Sequence, residues 1–75
     1  MVSGVLKMVV NMVEQLPASE RKIAEYILEN PYEVVNCKVS DLADRTNSSG
    51  AAVIRLCKSL GLNGFQDLKV RIAGD

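Results

Sequence analysis

Apolar residues fall at helical spacing in successive blocks along the chain, separated by short polar or proline-containing breaks. Val5, Leu6, Val9, Met12, Val13 and Leu16 recur three and four apart, which predicts a first helix over about Val5 to Gln15. Val2, Met8 and Val10 widen its apolar surface beyond one stripe, so this helix is either one more core element or partly a contact for a partner. Pro17 suits the entry of a second helix, where a missing N–H costs nothing, and Ile23, Ala24, Ile27 and Leu28 give that helix its inner face. Asn30-Pro31 ends it, because the residue before a proline is pushed out of the helical region; Pro31 then opens a short helical turn through Val35.

The next blocks are shorter and better punctuated. A third helix is expected from about Ser40 to Arg45 or Thr46, burying Leu42 and Ala43; at about two turns it can be held only by tertiary contacts. Asn47-Ser48 makes a sharp connection, since Asn tolerates a left-handed backbone, and Ser49 caps a fourth helix from about Gly50 to Leu60 that Gly61 terminates. Val53, Leu56, Cys57 and Leu60 share its inner face, while Ala51, Ile54, Arg55 and Lys58 are left on the other side. Asn63, with Gln66 as reciprocal partner, is expected to cap a last helix whose inner face is Phe65, Leu68 and Ile72. The fold class that follows is all-α: a five-helix bundle in one domain over residues 1–75, containing a homeodomain-like helix-turn-helix, with Ala43 small where two helices cross closely.

Composition fits that reading: apolar residues make up 48% of the chain, enough for a packed core and too many for a disordered segment. Charge counts against nucleic acid until its distribution is considered. Nine basic and nine acidic residues cancel, yet residues 1–44 hold four basic against seven acidic, and residues 45–75 hold five basic against two acidic. A positive field concentrated around the fourth helix therefore remains available. Cys37 and Cys57 lack metal-ligand spacing and there is no His, so buried thiols are expected, with no metal and no cofactor. The absence of a base partner for either thiol, and of paired carboxylates outside solvated faces, excludes a catalytic set. The start Met1-Val2-Ser3-Gly4 carries no secretory signal and no apolar run approaches a membrane span, so a cytoplasmic protein without membrane contact is expected.

The segment Val39 to Leu60, a short helix, a tight turn and a capped helix, is the unit that carries chemistry. A helix buried behind and small or basic in front can enter a DNA groove. Arg55 leads the candidate contacts because a guanidinium forks onto a phosphate or onto guanine O6 and N7. Ser48, Ser49, Gly50, Ala51, Ala52 and Ile54 surround the helix start, where amide donors suit a phosphate, and Lys58 and Lys69 are suited to flanking backbone. A helical module that binds another protein without reading DNA is the alternative, and an apolar outer face on the fourth helix would favour it.

The chain also resembles the amino-terminal domain of the RpiR family of bacterial regulators. The resemblance rests on Leu16, Glu20, Ile23-Ala24, Tyr26-Ile27-Leu28, Asn30-Pro31, Leu42-Ala43, Ser49, Val53-Ile54-Arg55, Cys57-Lys58, Leu60-Gly61, Gly64-Phe65 and Leu68-Lys69. It implies a homodimeric or higher-order transcriptional regulator binding double-stranded DNA at an inverted-repeat operator. It further implies a carboxy-terminal sugar-isomerase-like (SIS) domain, absent here, that would take a phosphosugar from carbohydrate metabolism. Three positions depart from the pattern: Ala52 stands where the family often has Thr, Ser48 where it has Thr or an apolar residue, and Lys38 where Ser or Thr usually caps the first helix of the motif. Lys has no acceptor for an amide, so Ser40 is expected to take over that cap.

Overall fold

The computed structural model describes residues 4–74 as six α-helices and one short 3-10 turn, without strands among them. They are α1 (Gly4–Met12), the 3-10 turn Val13–Gln15, α2 (Ala18–Glu29), α3 (Pro31–Val35), α4 (Val39–Arg45), α5 (Gly50–Ser59) and α6 (Phe65–Gly74). The all-α expectation holds, with two changes in detail. The first helix stops at Met12 and tightens into the 3-10 turn, and the turn opened by Pro31 closes as an α-helix of five residues. Val2, one of the residues expected to broaden the first helix, lies outside the described residues.

The predicted stripes converge on one core. Val5 and Val9 from α1, Ile23, Ala24 and Ile27 from α2, Val34 from α3, Leu42 and Ala43 from α4, Val53, Leu56 and Cys57 from α5, and Phe65, Leu68 and Ile72 from α6 are all buried. α5 packs against both α2 and α4, while α6 crosses back to cover α1 and α3. No helix among the described residues is long and apolar enough to cross a membrane.

Two helices end in the same way, and those endings aim the motif. After α4, Ser48 N–H donates to Ala43 O at 2.8 Å and Asn47 N–H to Asp44 O at 3.2 Å, with Asn47 left-handed at φ 53. After α5, Leu62 N–H donates to Cys57 O and Gly61 N–H to Lys58 O, both at 2.9 Å, with Gly61 at φ 79. Each is a Schellman closure, which satisfies carbonyls that a helix end would otherwise leave open.

The beginnings differ from expectation at two places. Lys38, not Ser40, is the N-cap of α4, and its own N–H donates to the Asp41 carboxylate at 3.0 Å. That is half of a capping box; the lysine side chain cannot supply the other half because it has no acceptor. Before α6, Asn63 N–H donates to Asp67 Oδ2 at 3.1 Å, so Asp67 takes the part expected of Gln66. Gln66 is exposed and one position too early to reach back.

Candidate nucleic-acid interface

The front of α5 is built by its neighbours. Ser49, extended at φ −108 and ψ 159, caps the helix as expected: its Oγ accepts from Ala52 N–H at 3.1 Å, which leaves the hydroxyl proton available to an outside acceptor. A Cβ placed on Gly50 would lie 3.4 Å from Val39 Cγ1, so the start of α5 sits directly against the start of α4, as steeply crossed helices require. The turn between them is tied to α2 through Lys22 Nζ, 3.4 Å from Asn47 O, and α4 is tied to α2 where Arg45 Nη1 donates to the Tyr26 hydroxyl at 3.0 Å.

The structure separates the sequence candidates into two groups. Ala51, Arg55 and Lys58 are exposed on one side of α5, with Gly50 and Ile54 half-buried at its margins and Ser49 exposed at its tip. Lys58 makes no ion pair or hydrogen bond with its side chain among the described residues, so its charge is uncommitted. This group agrees with the expected outer face, and it contains none of the exposed large hydrophobics, Val10, Tyr32 and Val70, which lie on α1, α3 and α6.

Three candidates are redirected. Ala52 is 1% exposed and packs into the core, because it lies on the inner side of the first turn of α5; its methyl cannot meet DNA. Ser48 is half-buried and its hydroxyl donates to Thr46 O at 3.1 Å, with Ser19 O at 3.5 Å, so the turn itself uses the proton that a phosphate would need. Lys69 Nζ donates to Cys37 O at 3.0 Å and lies 5.2 Å from the Phe65 ring centroid, which ties it to the loop before α4. Arg71, also on α6, closes on Asp67 at 3.0 Å.

Arg55 is exposed but engaged. Its Nε lies 3.6 Å from Glu20 Oε2, and the Glu20 side chain is only 7% exposed. Ser59, one turn further along α5, donates its hydroxyl to Glu20 Oε1 at 3.4 Å. Sequence reasoning missed Glu20 as part of the site. The signal was present: Glu20, Ile23, Ala24 and Ile27 stand at 0, 3, 4 and 7 on α2, so a carboxylate occupies the apolar stripe and must find a cation or donor inside.

The Asp67 and Cys57 side chains are shifted in titration by their surroundings. The Asp67 carboxyl is held below its usual 3.8, first by Asn63 N–H and then by the Arg71 guanidinium. Burial, then the charge of Asp67, pushes the Cys57 thiol from 9.0 to about 11, so it remains protonated and inert at neutral pH. Cys37 is also a free, buried thiol, and its Sγ donates to Glu33 O. No group of three His, Cys, Asp or Glu among the described residues could hold a metal ion. An open groove of about 470 Å³ between α2 and the end of α4 is lined by Lys22, Glu25, Glu29 and Arg45 among others, so it carries both charge signs.

A short helix, a left-handed turn and a capped second helix with a buried back and a small, basic front define a helix-turn-helix DNA-binding domain. The chain belongs to the rpiR family of helix-turn-helix domains, whose description matches residues 3–75. It is 55% identical over 75 residues to the HTH-type transcriptional regulator YbbH of Bacillus subtilis (strain 168), a match spanning all of this chain and 26% of YbbH. The crystal structure of the N-terminal domain of that Bacillus subtilis protein superposes with a TM-score of 0.94 at 54% identity, covering 99% of this chain and 90% of that one. The Vibrio vulnificus NanR protein complexed with ManNAc-6P matches at TM-score 0.91 and 35% identity, over 96% of this chain and 28% of NanR. The chain thus spans about a quarter or less of the length of the curated relatives it matches. It is a DNA-binding helix-turn-helix module rather than a catalytic fold.

Proposed function

We propose that the exposed side of α5, from Ser49 to Lys58, reads the major groove of duplex DNA while Ser49 and Lys58 anchor phosphates. The observation that carries this reading is the two-sidedness of α5. Val53, Leu56 and Cys57 are buried behind it, while Ala51, Arg55 and Lys58 stand exposed in front with no large hydrophobic among them. Small residues at the helix start permit close approach to base edges or a thymine methyl, and the guanidinium supplies the fork that recognises guanine. The protein-binding alternative calls for an apolar outer face on α5, and the exposed apolar residues lie on other helices.

The intact regulator acts in the cytoplasm as a homodimer or higher homo-oligomer on an inverted repeat, with a second domain that takes a phosphosugar. Support for the effector class comes from NanR, which binds ManNAc-6P, and support for association comes from Val10, 51% exposed on α1. The test is selection of duplexes from a random library by the intact regulator at low salt, with and without amino-sugar phosphates, followed by Arg55→Ala. A shared half-site should emerge, and the substitution should weaken it by about 1 to 3 kcal/mol with relaxed preference at one position. Failure to enrich any half-site overturns the reading. Enrichment that ignores the substitution removes Arg55 from recognition.

A further inference from the structure

We propose that Glu20 is a positioning residue for DNA recognition, which holds Arg55 by its Nε and offsets part of its charge, so that Arg55 serves base discrimination more than general attraction to phosphate. The inference rests on the reading that Arg55 contacts DNA. Three observations lead to it. The first is location: Glu20 belongs to α2, is one of two buried polar residues described, and sits in line with Ile23, Ala24 and Ile27. A carboxylate taken out of water is strongly disfavoured unless paired, and an apolar residue of similar volume commonly serves stability as well or better. Stability is therefore a poor reason for a charge at this position.

The second is that both carboxylate oxygens are engaged from the same helix. Oε2 faces Arg55 Nε at 3.6 Å and Oε1 accepts from Ser59 Oγ at 3.4 Å. Arg55 and Ser59 lie one turn apart on one edge of α5, so the carboxylate clamps that edge. The third is what the clamp leaves over. The closest approach uses Nε, the Arg55 side chain is 58% exposed, and its terminal nitrogens make no hydrogen bond among the described residues. Those nitrogens carry four of the five guanidinium N–H donors, in the planar arrangement that forks onto guanine O6 and N7. A long, freely rotating arginine would meet any phosphate within reach. Drawn toward Glu20 at Nε and partly neutralised, it loses part of that general attraction and keeps its outer fork.

The inference separates from a structural role by measuring two affinities. The intact regulator and its Glu20→Gln variant are titrated with the duplex enriched by selection and with a scrambled duplex of the same composition, over a range of salt. Gln fills the same space and still accepts from Ser59, but it carries no charge. For the variant we expect tighter binding to the scrambled duplex, a salt slope steeper by up to about one, and a selected-to-scrambled ratio reduced about fivefold to tenfold. In an Arg55→Ala background the same change should move neither affinity. Ser59→Ala, at an exposed position, should shift the ratio in the same direction by less, and it carries the test if circular dichroism finds the Glu20 variant unfolded. A proportional loss on both duplexes, or an effect that persists without Arg55, overturns the positioning role while leaving Arg55 as a reader. Arg55→Ala with no effect on the selected duplex overturns the Arg55 reading itself, and the inference with it.

Discussion

The Ser49 hydroxyl oxygen closes the first turn of α5, and its proton is the one proposed to meet a phosphate. Ser49→Ala should therefore lower stability by about 1 kcal/mol in urea denaturation, the usual cost of a lost cap. It should also weaken selected and scrambled duplexes alike, because a phosphate contact carries no sequence information. Asp67 gives a residue-level prediction of a different kind. Its carboxyl is held below the usual 3.8 by Asn63 N–H and then by Arg71. The charged form is the one the fold favours, so its contribution is complete above 3.8 and is lost as the pH falls below it. Thermal melts at pH 5 and pH 3 should accordingly show a smaller acid-induced drop for Asp67→Asn than for the parent sequence.

At the scale of elements, the two Schellman closures turn the same backbone requirement into opposite predictions. Gly61 sits at φ 79, and Gly61→Ala should cost about 1 kcal/mol because a Cβ is strained in that region. Asn47 sits at φ 53, and Asn47→Gly should be close to neutral, since glycine adopts the same conformation freely. Urea midpoints of the two variants check both. These closures were legible in the chain, as were the helix stripes and the Ser49 cap, because each is decided by residues within a turn or two of one another. The site was less legible. Ala52 sits at the edge of the α5 stripe, and one step around the helix separates a core methyl from a groove-facing one. Ser48 and Lys69 have the right chemistry for DNA, but their partners, Thr46 O and Cys37 O, are backbone carbonyls that no residue pattern announces. The Glu20 pairing depends on how α2 docks across α5, a tertiary fact that the α2 stripe alone could only signal as an anomaly.

For the whole molecule, size bears on the proposed pairing of two copies on one duplex. The longest extent of the domain is 29 Å, shorter than the roughly 34 Å of one turn of B-DNA, so two copies fit side by side on one face with a major groove each. The proposed inverted repeat should therefore have half-sites about 10 base pairs apart, or a multiple. Inserting about 5 base pairs turns the second half-site to the opposite face and should remove the gain from linked binding, which gel-shift titrations of spacer variants will register. The closing role of α6 has a consequence in time. Phe65, Leu68 and Ile72 lie in the helix that packs against α1 and α3, so Val5, Val9 and Val34 cannot all be sealed until it arrives. During synthesis the earlier helices leave the ribosome with inward faces still wet, and short helices of this kind hold little structure alone. The core therefore closes only when residues 65–74 join it, so a chain cut before Phe65 should fail to show a cooperative melt.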